Sequence, residues 1–279
     1  MVRNMLILMD GTQDSEKLLD LSVRLFDQPN NQYSATFVNG LRNKKLDDLF
    51  ELPSGTLNYY YSYYDILDKI LHTEKDNSRE FIERFVTKCE ELSIKTRVYL
   101  NEDNFEKGFA SDSMFSDLLV MGKSILTRTS SDRNSFELME SMLRNARCPI
   151  LLLPNESPSF KNIVILFDGS QQSFEAIKLF VYLSADQLRK NRVMLYTIVN
   201  DQTIESEKNV CDYLKAHQPF FSVYRIYPDN YYSDLVANLN ELDEFLLITG
   251  VSRKEIIEDV IFNREHSFYL KGNRSVFML

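Results

Sequence analysis

A chain of 279 residues exceeds the roughly 100 to 200 residues of one ordinary domain, which predicts two. Its 44% hydrophobic and 26% charged residues are the makeup of a folded globular protein, neither disordered nor fibrous. Acidic residues outnumber basic ones by 41 to 32, a formal charge of −9, and no basic run is longer than Arg42 to Lys45, which speaks against nucleic acid and anionic membrane as partners.

The first element expected is a buried parallel strand, Met5 to Met9, stopped by the turn Asp10-Gly11-Thr12. This apolar run ends in an aspartate and a turn rather than a cleavage site, so no signal peptide is read here. No apolar stretch approaches the roughly 20 residues a membrane span needs, and the cytoplasm is the expected location. A helix follows, with Leu18, Leu21 and Leu25 beside Leu19, Val23 and Phe26 at helical spacing.

Strands are expected next at Ser34 to Val38, Thr96 to Leu100, Leu118 to Met121 and Ile150 to Leu153, alternating with helical stretches. Between the first two of these lies extra length, about 40 to 76, holding the run Tyr59 to Tyr64. The tyrosines read either as core packing or as an amphipathic partner surface. After them Ile66, Leu67, Ile70 and Leu71 begin a helical stripe that resumes at Phe81, Phe85, Cys89 and Leu92, with a break expected near Asp76 to Ser78.

Pro154 to Ser159 has the composition of a linker, after which the chain repeats itself. MLILMDGTQDS from Met5 returns as IVILFDGSQQS from Ile163, and FELMESMLRNARCPILLL from Phe136 aligns without a gap with FNREHSFYLKGNRSVFML from Phe262. Phe174, Ile177, Val181 and Ser184 trace the matching first helix, and strands are expected at Val193 to Val199, Val223 to Tyr227, Phe245 to Thr249 and Val276 to Leu279. The expected architecture is two tandem α/β domains, residues 1–154 and 160–279, each a five-stranded parallel sheet with helices on both faces.

In such sheets ligands bind beyond the carboxyl ends of the strands, where the strand order reverses. Asp10 and Asp168 end the first strand of each copy, and Gly122 and Gly250 end the fourth. There a carboxylate can hold a ribose or base, and a glycine beside a helix start lets backbone approach a phosphate. The same residues also serve a purely structural turn, in which the aspartate satisfies backbone amides.

Gly122-Lys123-Ser124 copies the end of a Walker A loop, but Asp117 stands at its first glycine and strand residues fill the interval, so the match is read as accidental. Lys123 and Arg128, with Arg253 and Lys254 in the second copy, are candidates to attract an anion to the pocket mouth. Cys89, Cys148 and Cys211 lack disulfide or zinc spacing, and His72, His217 and His266 stand apart, so no metal is assigned. No nucleophile elbow, Cys-His pair or His-Glu-x-x-His assembles.

The strand, Asp-Gly-Ser/Thr turn and helix, the glycine after the fourth strand and the closing ARCPILLLP together resemble the universal stress protein family, in a tandem two-domain form. The resemblance implies Rossmann-like domains, similar to adenine nucleotide alpha hydrolases, and a dimer formed through the fifth strands. Here that becomes an intramolecular pseudo-dimer with a pseudo-twofold axis, joining Ile150–Leu153 to Val276–Leu279, and a homodimer of the tandem chain is a further option.

The family has ATP-binding and ATP-independent members, the former with Gly-x-x-Gly and a later Gly-Ser/Thr after the fourth strand. Here only the first glycine matches, as Gly122 and Gly250; the second falls on Ile125 and Arg253, and the third at or beside Phe136 and Phe262. Side chains there obstruct a phosphate loop. Asp10, Gly122, Asp168 and Gly250 are therefore remnant pocket positions, with no catalytic residue and no cofactor assigned. The function expected is a non-enzymatic, ATP-independent cytoplasmic stress-response protein acting through an unidentified protein partner. The alternative is an adenine-nucleotide sensor or weak ATPase with an altered phosphate loop.

Overall fold

The structure is a computed structural model that describes residues 3–9, 13–25, 31–38, 77–92, 95–99, 102–125, 140–154, 160–227, 231–242, 244–250 and 274–279. It divides into two compact units, Met1–Cys148 and Pro149–Leu279.

In the first unit β1 (Arg3–Met9), β2 (Asn31–Val38), β3 (Lys95–Tyr99) and β4 (Leu118–Gly122) alternate with α1 (Gln13–Leu25), α2 (Asn77–Glu91) and α3 (Glu102–Met114). The strands are parallel in the order β3-β2-β1-β4, with Leu8 beside Thr36 and Ile7 beside Val120. Met5 to Met9 and Leu118 to Met121 are all buried, as uninterrupted apolar runs covered on both faces require. On α1, Leu18, Leu19 and Leu21 face inward, and Asp20 on its flank takes an ion pair from Lys88 of α2 at 2.7 Å. The helix expected from Ile66 is described from Asn77 onward; its earlier part, like the Tyr59 to Tyr64 run, lies outside the described residues.

The second unit contains β5 (Ile150–Leu153), β6 (Asn162–Phe167), α4 (Gln171–Lys190), β7 (Arg192–Ile198), α5 (Asp201–His217), β8 (Phe221–Ile226), α6 (Tyr231–Asn240), β9 (Phe245–Thr249) and β10 (Arg274–Met278). Their order is β5-β10-β9-β6-β7-β8, parallel from β10 to β8. β5 and β10 run antiparallel, with Leu152 opposite Val276 and Leu151 opposite Phe277. The strand that closes the first sequence repeat thus pairs with the strand that closes the second.

One face of this sheet packs Val164, Leu166, Met194, Tyr196, Ile226 and Leu247 against Leu235 and Leu239 of α6. On α4, Ala176, Ile177, Phe180 and Val181 are buried, and Phe180 meets Phe277 edge-on at 5.4 Å between centroids. Ser184, on the expected apolar stripe, is buried, but the helix kinks there, with φ −144 and ψ 39. Cys89 and Cys148 are buried, Cys211 is half-buried, and none is in a disulfide.

Candidate functional site

The second-unit sheet reverses its order between β6 and β9: the chain steps outward from β6 through β7 to β8, then returns to the other side of β6. The crevice of such a fold opens beyond the carboxyl ends of these two strands. Asp168 directly follows β6 and Gly250 directly follows β9, so the topology brings these two sequence-predicted residues to the same switch point.

Asp168 sits at the head of a turn. Its Oδ1 accepts the amide of Ser170 at 2.9 Å, and Gly169 between them has φ 82, a left-handed conformation that favours glycine. Burial raises the carboxyl's pKa, but hydrogen bonds from the Ser170 hydroxyl and amide, with a smaller contribution from Ser173, outweigh it and hold the group below its ordinary 3.8. The aspartate is therefore anionic at neutral pH and engaged with its own turn.

Ser170 then caps α4. Its Oγ accepts the Ser173 amide at 3.1 Å, its carbonyl accepts the Phe174 amide at 3.3 Å, and the Ser173 hydroxyl donates to the same carbonyl at 2.9 Å. From the other side Asn200 Nδ2 donates to the carbonyl of Asp168 at 2.8 Å. Asn200 also caps α5 in a reciprocal box with Thr203, at 2.9 Å and 2.8 Å. Asn200, Ser170 and Ser173 are not among the site residues that the sequence predicts. Their traces in sequence are Asn-x-x-Thr and Ser-x-x-Ser just before apolar helical patterns.

Gly250 shows what this turn does to the crevice. A Cβ built on it would overlap the backbone of Ser173 and Gln172. The first turn of α4 thus lies directly on the glycine, and the Ser173 amide is committed to Ser170. Backbone thus closes the space between Gly250 and the first turn of α4.

The first unit differs at the matching place. Among the described residues a Cβ on Gly122 would meet Ser124 Oγ at 3.3 Å and Leu18 Cδ2 at 3.9 Å, and no backbone. The residues that follow, Lys123, Ser124 and Ile125, are nonetheless buried, so Lys123 stands in the interior rather than at a pocket mouth, and Ile125 fills the second glycine's position with a side chain. Asp117, at the far end of β4, accepts the Asn4 amide at 2.7 Å while its own amide donates to the Asn4 carbonyl at 2.7 Å. The whole strand separates it from Lys123, so no Walker A loop exists there. Asp10, Arg128, Phe136, Arg253, Lys254 and Phe262 lie outside the described residues. Among the described residues no three His, Cys, Asp or Glu side chains cluster as a metal site, and no helix is long and apolar enough to cross a membrane.

Known structures of similar fold decide the architecture. A universal stress protein from Archaeoglobus fulgidus DSM 4304 matches 99% of this chain and 95% of its own, with a TM-score of 0.60 at 14% identity. The chain has the universal stress protein fold. A putative universal stress protein from Pseudomonas aeruginosa UCBPP-PA14 matches 99% of this chain and 92% of its own, with a TM-score of 0.53 at 12% identity. No family model and no curated protein matches the sequence. The universal stress protein likeness extends over both units, and at such low identity it is a likeness of backbone, with the chemistry left to this chain's own residues.

Proposed function

We propose that this chain is a cytoplasmic stress-response protein of the universal stress protein type that has no enzymatic activity and works without bound ATP, through contacts with other proteins. The observation that carries the reading is the seating of α4 on Gly250, with the Ser173 amide taken up by Ser170. It supports the reading because backbone, rather than open space, faces Gly250 in the second unit. Native mass spectrometry of the full chain with and without MgATP tests this. Bare masses under both conditions are expected; one or two nucleotides retained per chain would overturn it.

Gly122 favours the second reading, a nucleotide sensor or weak ATPase confined to the first unit, because no backbone among the described residues closes on it. That reading expects one nucleotide per chain, lost in Asp10→Ala and retained in Asp168→Ala.

A further inference from the structure

β8 is the outer strand of its sheet, and among the described residues it pairs with β7 alone. It is also unusually apolar for an edge: Val223 is 41% and Tyr224 37% exposed, flanked by Phe220 at 82% and Tyr227 at 67%. Proteins commonly blunt sheet edges with charge, because unpaired backbone groups invite another strand. The outer strand of the first unit has the sequence KTRVY, with two basic residues. β8, FSVYRI, has one charge, Arg225, which is tied to Glu207 of its own α5 through two hydrogen bonds. Pro219 and Pro228 bracket the strand and limit the segment able to pair.

We propose that this edge binds the same edge of a second copy, β8 antiparallel to β8, about a two-fold axis through Tyr224. Such an axis, perpendicular to the sheet, keeps each face on its own side, so residues on opposite faces cannot be paired. Tyr224 stacks on Tyr196 at 4.9 Å between centroids and 18° between planes, on the face that Ile226 shares with α6. Val223 and Arg225 occupy the other face, where Arg225 reaches α5.

With Tyr224 on the axis it meets Tyr224 of the second copy and extends the existing tyrosine stack across the junction. Phe221 falls opposite Tyr227, and Val223 opposite Arg225. Cross-strand aromatic pairs favour association, and like charges directly opposite oppose it; this register has the first and avoids the second. The strand is thus its own complement, and the inference stands whether or not either crevice takes a nucleotide.

The test is sedimentation velocity of the full-length protein over a dilution series, with circular dichroism melts to confirm that each variant folds. The wild type is expected to dimerise and to dissociate on dilution. Val223→Lys sets a lysine against Arg225 of the second copy on both sides of the axis and raises the dissociation constant by about tenfold or more. Val223→Glu sets an opposite charge there and keeps the dimer. A wild type that stays monomeric, a dimer indifferent to Val223→Lys, or equal weakening by lysine and glutamate would each overturn the proposal. So would a monomer that captures a foreign extended peptide along β8.

Discussion

Gly250 and Ser173 touch backbone to backbone, so closely that not even a methyl group fits between the end of β9 and the first turn of α4. The contact fastens a helix N-terminus to the end of β9.

Gly250→Ala must push α4 away from the sheet, an overpacking cost of about 1 to 3 kcal/mol. Among the described residues Gly122→Ala meets one flexible serine hydroxyl and one leucine methyl and should change stability by less than about 1 kcal/mol. Urea denaturation of the two variants checks the contrast. Equal effects would show that the two glycines are not differently placed.

The charge of Asp168 should stabilise the fold in a pH-dependent way. Its folded pKa is depressed, so the unfolded state binds the proton more readily. The contribution is complete above the ordinary value of 3.8 and is lost as pH falls through the folded value. Asp168→Asn keeps an acceptor for the Ser170 amide and removes the charge. The stability gap between wild type and variant should therefore close on acidification, and a gap that widens would count against this assignment.

Asn200 holds two structures together, the start of α5 and the carbonyl of Asp168. Asn200→Ala should cost about 1 to 2 kcal/mol, more than Ser170→Ala at about 1 kcal/mol, because a cap and a buried bridge are lost together. Chemical denaturation of both variants gives the comparison.

Phe277 lies in β10 opposite Leu151 of β5 and edge-on to Phe180 of α4. Phe277→Ala should cost about 3 to 5 kcal/mol, read as a large fall in the midpoint of thermal unfolding. A small fall would mean the core refills the space.

Much of the sheet was legible in the sequence because its strands are buried on both faces: Met5–Met9 and Ile163–Phe167 are short unbroken apolar runs that no amphipathic helix would carry. The repeat then placed Asp168 and Gly250 after strands of known rank, and hence at one switch point. What Gly250 does there was not legible, since a glycine that admits a ligand and one that admits a helix backbone are written with the same letter. Only the packing of Ser173 separates them. The kink at Ser184 was hidden for a related reason: apolar spacing reports which face is buried, as Phe174 to Ser184 illustrates, but says nothing about where the backbone departs from helix.

Because β5 pairs antiparallel with β10, the earliest strand of the second unit waits for the last one to be made. During synthesis, Ile150–Leu153 emerges well before Val276–Met278 leaves the ribosome, and in the interim its apolar side chains lack their antiparallel neighbour.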